Sequence, residues 1–218
     1  MTDQAPGPRG LSVVAPRKNI VAGVKLRASS TRLESPSMKV TPCELAGLLL
    51  IEPAVFGDSR GFFLESWSQA RYHASGLPLD FVQDNFSLSG RGTLRGLHFQ
   101  NPGPQGKLVS VWQGEVWDVA VDLRRQSPTF RRWYGVALSA ENKRQLYVPP
   151  GFAHGFVVVS ETALFHYKCT TAYSPRDEQG FRWDDPAIGI QWPVSNPILS
   201  PRDAASPLFS ALPADQLF

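Results

Sequence analysis

Cysteine is scarce in this sequence. The chain of 218 residues contains two cysteines, Cys43 and Cys169. Small secreted domains that depend on disulfides carry several pairs at short spacings, and two distant thiols do not form such a framework. The scarcity excludes a disulfide scaffold and favours a reducing compartment, so we expect a cytoplasmic protein.

Long apolar runs are also missing. The longest, Ala46–Ile51 and Phe156–Val159, fall far short of the roughly 20 residues that a transmembrane helix requires. We therefore expect no association with a membrane. Hydrophobic residues nevertheless make up 42% of the chain, which is enough for a globular protein with a substantial core.

The part of the chain that we expect to fold has no excess of positive charge. Residues 1–37 contain six Lys and Arg against two Asp and Glu, whereas the remainder has sixteen against seventeen. A broad basic surface for nucleic acid is therefore not expected, and any anion site must be local.

Residues 1–37 mix Pro, Gly, Ser and Arg without sustained periodicity, which predicts a disordered extension. Two explanations stay open. The segment has the composition of a transit peptide, or the start is mis-assigned, because Met38 is the only methionine besides Met1. We favour Met38 and predict that residues 38–218 form a single domain with a short C-terminal helical segment.

Short β-rich runs alternate with Gly-, Pro-, Asn- and Ser-containing turns from Met38 to about Pro193. Helical signals are confined to Trp67–Ser75 and a turn after Ser200. Many short strands at this spacing predict an all-β sandwich or small barrel. The predicted strands are Leu48–Val55, Lys107–Trp112, Glu115–Leu123, Trp133–Leu138, Gln145–Val148, Phe156–Val159 and Thr162–Cys169.

The alternation of apolar and polar residues predicts which side chains point inward. In Thr162–Cys169 it turns Tyr167 toward the interior and His166 outward, where we expect a surface residue. We expect core positions for the tryptophans Trp112, Trp117 and Trp133.

A second run, Leu94–Gln100, places His98 on the same face as Gly96, whose missing side chain leaves room beside the imidazole. Strict alternation would put Arg95 on the opposite face. A bend at Gly96 is therefore needed if Arg95 and His98 are to meet one ligand.

A metal site is one chemistry to consider. The stretch PPGFAHGF resembles the P-x-G-x-x-H half of the cupin pattern, with His154 as its histidine. Metal-binding cupins supply H-x-H and a glutamate in the other half, which here reads His98-Phe99-Gln100 and is followed by Lys107. Two histidines without a carboxylate fall short of a catalytic zinc or non-haem iron site, and a lysine repels a divalent cation. We predict no metal.

The parts of an acid–base pocket remain. A histidine such as His98 can remove a proton near neutral pH, and a protonated tyrosine such as Tyr167 can return one. A cation such as Lys107 can stabilise a developing oxyanion. Together these groups suit proton abstraction α to a carbonyl.

The chain closely resembles the dTDP-4-dehydrorhamnose 3,5-epimerases from about Leu48 to Pro207. This resemblance implies an all-β, cupin-type jelly-roll barrel (a double-stranded β-helix) with a few short helices. The segments that carry it are FGDSRGFFLES (56–66), FVQDNFSLS (81–89), LRGLHFQ (94–100), QGKLV (105–109), GEVWDVAVDLRRQSPTF (114–130), LSAENKRQLYVPPGFAHGF (138–156), FHYKCTTAYSP (165–175) and SPRDAASP (200–207).

By resemblance, the chain inverts C3 and C5 of dTDP-4-dehydro-6-deoxy-D-glucose through an enolate, with no cofactor and no metal. Two kinds of alternative stay open. One is an epimerase that inverts a single carbon or acts on a related nucleotide sugar. Phe86 leaves the choice of substrate open, because many relatives carry a polar residue there. The other is a cupin that binds sugar without turnover or is a metal-dependent dioxygenase.

The resemblance also implies catalytic roles. His98 is the base, Tyr167 the acid on the opposite face of the sugar, and Lys107 the group that stabilises the enolate oxygen. Asp203 would pair with His98. A rival role for Asp203 stays open, because Ser200-Pro201-Arg202-Asp203 is typical of a helix start, where an acid stabilises the first turn.

The implied binding residues include Arg60, Arg95 and Arg202 for the diphosphate, since guanidinium groups bind phosphate oxygens in pairs. His154 would lie near the sugar. The family forms homodimers in which N-terminal segments cross to the partner, so Arg60 and Glu65 would serve the neighbouring subunit. The complete predicted set is Arg60, Glu65, Gln83, Asp84, Asn85, Arg95, Lys107, His154, Glu178 and Arg202.

Overall fold

The computed structural model of the chain describes residues 37–77 and 80–218. The predicted extension therefore lies outside the described residues, apart from its last position. Within the described part the strands are β1 (Lys39–Pro42), β2 (Leu49–Glu52), β3 (Val55–Asp58), β4 (Gly61–Leu64), β5 (Gln83–Gly90), β6 (Leu94–Gln100), β7 (Lys107–Gln113), β8 (Glu115–Asp122), β9 (Trp133–Ser139), β10 (Gln145–Val148), β11 (Phe152–Val158), β12 (Thr162–Cys169) and β13 (Glu178–Gly180). The helices there are α1 (Gln69–Ala74), α2 (Pro201–Ala204) and two 3-10 turns, Phe209–Ala211 and Ala214–Gln216. None of these helices has the length and apolar character needed to span a membrane.

Two antiparallel sheets pack face to face. One has the strand order β1-β2-β10-β7-β12-β5 and the other β13-β6-β11-β8-β9, while β3 and β4 form a separate hairpin. Apolar side chains that alternate along the strands meet between the sheets, and the rings of Phe156 and Phe165 stack there with centroids 3.9 Å apart. The predicted all-β jelly roll with few helices is confirmed.

The observed strands differ from the predicted ones, and three of the differences are instructive. The predicted strand Leu48–Val55 is divided into β2 and β3 by Pro53, which has no N–H to donate. Strand β11 begins at Phe152, so His154 lies within a strand rather than beside a turn. Strand β5 was not predicted, because its inward positions Gln83, Asn85 and Ser87 are polar and give no hydrophobic alternation.

Two predicted positions on the outer face of the larger sheet are wrong. His166 points outward, as its strand pattern indicated, but it is only 7% exposed because the rings of Phe86 and Trp112 cover it, with centroids 4.6 and 5.1 Å away. Trp112 was expected in the core, yet it is 49% exposed on this face. We call Phe86, Trp112 and His166 the outer aromatic face.

The C-terminal segment covers the outer side of the smaller sheet. Phe181 and Phe209 are buried there. The backbone of Ile198 bonds to both Gly92 and Leu94 at the start of β6, over 2.8 and 3.0 Å. Because these bonds anchor the chain just before α2, they bring that helix beside β6.

Strands β6 and β11 cross very closely at Gly96. A Cβ on Gly96 would lie 2.6 Å from the Cα of Gly155, and the φ angle of Gly96 is +120°. The register passes from Arg95 opposite Phe156 to His98 opposite His154, so two residues of β6 face one of β11. This bulge supplies the bend that the sequence required, and both Arg95 and His98 face the interior.

We expect Gly96→Ala to lower the free energy of unfolding by roughly 3–4 kcal/mol, because the added methyl meets backbone atoms and the left-handed conformation is strained. Gly92→Ala is the matched control, since Gly92 has a φ of +79° but nothing within 4 Å of its Cβ position. The control should lose only about 1–2 kcal/mol. Urea denaturation measures both, and equal losses would contradict the proposed steric role of the crossing.

Candidate active site

One cavity of about 510 Å³ between the sheets collects most of the predicted site residues. It is bounded by side chains from both sheets and from α2. No three His, Cys, Asp or Glu side chains in the described part of the chain are grouped as metal ligands. The predicted residues that line the cavity are Gln83, Asn85, Arg95, His98, Lys107, His154, Tyr167, Glu178, Arg202 and Asp203.

His98 and Asp203 are hydrogen-bonded, with Nε2 of the ring 2.6 Å from Oδ1 of the carboxylate. The cap of α2 is made by Ser200, whose hydroxyl accepts a bond of 3.0 Å from the backbone N–H of Asp203. Capping therefore uses the hydroxyl of Ser200 and the main chain of Asp203, and the carboxylate is free to contact His98. Burial acts to raise the pKa of Asp203, but the hydrogen bond and the charge of His98, together with hydrogen bonds from Ser200 and the backbone of Gly96, lower it overall.

The second ring nitrogen of His98 lies toward Glu178, with Nδ1 3.9 Å from Oε1. Because Asp203 occupies Nε2, Nδ1 is the nitrogen that remains for a ligand. The other oxygen of Glu178 accepts a hydrogen bond of 2.6 Å from the hydroxyl of Tyr173 and forms an ion pair with Arg202. Burial opposes ionisation of Glu178, but the bonds from Tyr173 and Arg202 outweigh it and lower its pKa.

Lys107 begins β7 and extends its ammonium into the cavity. Loss of solvent lowers its pKa, while nearby Cys169, Glu178 and Asp118 act in the opposite direction. A cation with little surrounding water interacts strongly with any negative charge that develops near it. Lys107 is therefore placed to stabilise an oxyanion in this cavity.

Tyr167 lies on β12 of the larger sheet, whereas His98 belongs to β6 of the smaller one. The two side chains therefore reach the cavity from facing walls. Burial raises the pKa of Tyr167 above its usual value, so the phenol keeps its proton at neutral pH. The arrangement presents an imidazole on one wall and a proton donor on the other.

Three predicted binding residues do not line this cavity. Arg60 lies in the turn of the β3–β4 hairpin and pairs with Asp58. Glu65 forms an ion pair of 3.0 Å with Arg71. Asp84 lies on the outer side of β5, where Lys168 binds its carboxylate at 2.7 Å. None of the three meets a ligand in the cavity of its own chain.

The cavity also contains residues that the sequence did not single out. Tyr173 holds Glu178, and Ser87 contributes a buried hydroxyl with no hydrogen-bond partner among the described residues. Asp118, fully buried on β8, binds the ring of His154. The sequence did contain an indication of Asp118, because this charged residue stands between Trp117 and Val119 at an inward position of β8.

Comparison with known proteins identifies one family. Residues 42–211 match the family described as dTDP-4-dehydrorhamnose 3,5-epimerase. The protein of that name from Salmonella typhimurium is 56% identical over 174 residues, which cover 78% of this chain and 95% of that protein. The crystal structure of a dTDP-6-deoxy-D-glucose-3,5-epimerase from Legionella pneumophila with dTDP-4-keto-L-rhamnose is 51% identical. Its TM-score is 0.80, with 83% of this chain and 97% of that chain covered.

A more distant structure is a 3'-monoepimerase from Streptomyces bikiniensis in complex with dTDP-quinovose. It is 34% identical with a TM-score of 0.72, and the match covers 78% of this chain and 87% of that one. The same fold is therefore shared with a protein named for inversion at a single carbon.

We expect Asp203→Asn to weaken the dependence of stability on acid pH. A carboxyl whose pKa is lowered on folding contributes stability that is present above its unfolded pKa of about 3.9 and is lost as pH falls through the lower folded value. Urea denaturation at a series of acidic pH values measures the loss. The Ser200 cap survives the substitution because it uses the backbone N–H, so an unchanged acid limb would contradict the ionised pair.

Proposed function

The chain belongs to the dTDP-4-dehydrorhamnose 3,5-epimerase family, and from that premise we propose that it inverts both C3 and C5 of dTDP-4-dehydro-6-deoxy-D-glucose to give dTDP-4-dehydro-L-rhamnose. The observation that carries this proposal is the hydrogen-bonded pair of His98 and Asp203 on one wall of a cavity whose facing wall holds Tyr167. Inversion requires a base and an acid on opposite faces of one carbon.

The 4-keto group of the substrate acidifies the C–H bonds at C3 and C5. In the proposed step, Nδ1 of His98 takes the proton from carbon, and the bonding electrons move into the carbonyl to form an enolate. Asp203 holds the ring and stabilises the imidazolium that forms. Lys107 stabilises the enolate oxygen. Tyr167 then donates its proton to the opposite face of the carbon. His98 loses the abstracted proton to solvent and Tyr167 regains one from solvent, and the second centre is then inverted in the same way.

The nucleotide is bound by the arginines at the cavity. Arg95 is held at the wall by Ser89, whose hydroxyl accepts from Nε and Nη2 at 3.1 and 3.0 Å. Arg202 is paired with Glu178, and a diphosphate would compete for its guanidinium. Gln83 and Asn85, hydrogen-bonded to each other at 2.9 Å, line the same cavity from β5.

The working protein is a homodimer with exchanged N-terminal segments. Two observations support this. The β3–β4 hairpin carries Arg60 away from its own cavity and exposes Phe62 and Phe63 by 60% and 70%. The outer aromatic face is likewise uncovered, with Phe86 54% exposed. Exposed aromatic surface of this kind is typical of an interface, and the partner is a second copy of this chain.

A cytoplasmic location forms part of the proposal. Both cysteines are unpaired thiols, with Cys169 buried beside the cavity residue Asn85. Disulfides are rare in reducing compartments, and an unpaired thiol persists there.

Solvent isotope incorporation tests the reaction. In deuterium oxide, we expect NMR of the product to show deuterium at both C3 and C5. His98→Asn should reduce incorporation at both carbons by roughly 10²–10⁴-fold, since the base is lost. Tyr167→Phe should keep the exchange, because His98 can still remove and return the proton, while the inverted product falls at least about 100-fold.

The controls are His73→Asn and Tyr134→Phe, which remove the same chemical groups from positions that do not line the cavity. Both should behave as the wild type. Label at one carbon alone would replace the double epimerase with the single-carbon alternative. The absence of label at both carbons would leave a binding protein without turnover.

Mixing two inactive variants tests the exchanged dimer. If Arg60 serves the neighbouring subunit, a dimer of an Arg60→Ala chain and a His98→Asn chain has one cavity with every group in place. Random exchange between the two variants should then restore about a quarter of wild-type activity. Persistent inactivity after subunit exchange, checked by mass spectrometry of labelled chains, would place Arg60 in the site of its own chain. An Arg60→Ala variant that is active by itself would place Arg60 outside any site.

A further inference from the structure

A second histidine–carboxylate pair lies beside the first. Nε2 of His154 is 2.9 and 3.0 Å from the two carboxylate oxygens of Asp118. Asp118 has no exposed surface and His154 is 7% exposed. His154 lies directly opposite His98 in the register of β11 and β6. Side chains of directly opposed residues point to the same face of a sheet, so the two imidazoles are neighbours at the cavity wall.

The contact defines which nitrogen of His154 is available. A carboxylate accepts hydrogen bonds and cannot donate one, so the bond at Nε2 requires the ring to carry a proton there. The partner of one ring nitrogen thereby sets the role of the other. Since Asp118 lies behind the ring on β8 and His154 lines the cavity, Nδ1 is the atom left for a ligand.

Burying the carboxylate of Asp118 costs free energy unless another group compensates its charge. A carboxylate without water is strongly destabilised when it is left unpaired. Asp118 obtains hydrogen bonds from His154 and a favourable interaction with the ammonium of Lys107. The pair therefore adjoins two parts of the proposed site. His154 is next to His98, the predicted base, and Asp118 interacts with Lys107, the cation predicted to stabilise the enolate.

We propose that Asp118 is a positioning residue for the epimerisation: it keeps a proton on Nε2 of His154 and turns Nδ1 toward an oxygen function of the sugar ring. This inference rests on the proposed function for its substrate. Asp118 does not touch the substrate. Its contribution is the tautomer and the orientation of His154, on which the placement of the reacting carbon over His98 depends.

Asp122 provides a matched control on the same strand. It is also fully buried, but its carboxylate binds Arg124, Ser127 and Thr129 rather than a cavity residue. Asp118→Asn and Asp122→Asn are equal in size and chemistry. Both should lower stability, and only Asp118→Asn should alter His154 and the reaction.

Histidine NMR reports which ring nitrogen of His154 carries the proton, and this would not change if Asp118 only stabilised the fold. The chain has four histidines, so ¹⁵N-labelled histidine gives few signals, and single histidine substitutions assign them. In the wild type we expect His154 to carry its proton at Nε2. In Asp118→Asn the amide can donate to that nitrogen, and the Nε2 proton signal should disappear or shift to Nδ1.

Kinetics complete the test. Asp118→Asn should lower kcat by roughly 10–100-fold while KM changes by less than about threefold, since the pair acts on orientation rather than on nucleotide binding. Asp122→Asn should keep kcat within about threefold of the wild type.

Three results would overturn the inference: a wild-type His154 without a proton on Nε2, an Asp118→Asn variant with wild-type kcat, or an equal loss of kcat in Asp122→Asn. The NMR measurement on the wild type does not depend on activity or on the folding of Asp118→Asn. A wild-type protein that shows the Nε2 proton but no isotope exchange would contradict the proposed function and leave the tautomer assignment standing.

Discussion

The close crossing of β6 and β11 is the constraint on which the cavity depends. Gly96 and Gly155 approach so nearly that neither position has room for a side chain, and the extra residue in β6 changes the face of every residue on one side of the bulge. Without that change Arg95 and His98 would point to opposite sides of the sheet. Arg95 and His98, the proposed phosphate-binding group and the proposed base, therefore face one cavity because two backbones touch.

Ionisable groups are concentrated in this cavity and compensate one another. Asp203 pairs with His98, Asp118 with His154, and Glu178 with Tyr173 and Arg202. Lys107 is buried among these groups, and loss of solvent lowers its pKa. Low hydration makes each isolated charge unfavourable and each interaction with a developing charge stronger. The network that stabilises the cavity is for this reason also suited to chemistry through an enolate.

The β3–β4 hairpin does not contribute to the cavity of its own chain. Its aromatic side chains are exposed and its arginine is distant from the cavity of its own chain. These features have no structural use in an isolated chain, since exposed phenylalanine contributes nothing to the core. They are explained when two copies each complete the site of the other, as we propose.

The fold class could be predicted from the sequence, because turn residues and strand alternation are local signals, and strands such as β12 and β8 follow them. The sequence also determined which residue types were available, including Gln100 where the metal-binding cupin pattern has its second histidine. Its failures have a physical cause. Strand β5 was missed because a strand that lines a polar cavity has no apolar face, and His166 was misplaced because the side chains of Phe86 and Trp112 that cover it come from other strands.

Which side chains contact one another depended on the tertiary structure. The carboxylate of Asp203 could cap a helix or bind His98, and the answer depended on the bonds from Ile198 to the start of β6 that place α2. Asp118 on β8 is hydrogen-bonded to His154 on β11, although the two residues are 36 positions apart in sequence. A hydrogen bond depends on distances of a few tenths of an ångström between atoms brought together by folding. Residue order alone does not contain those distances, so the sequence could name the reacting groups but not their neighbours.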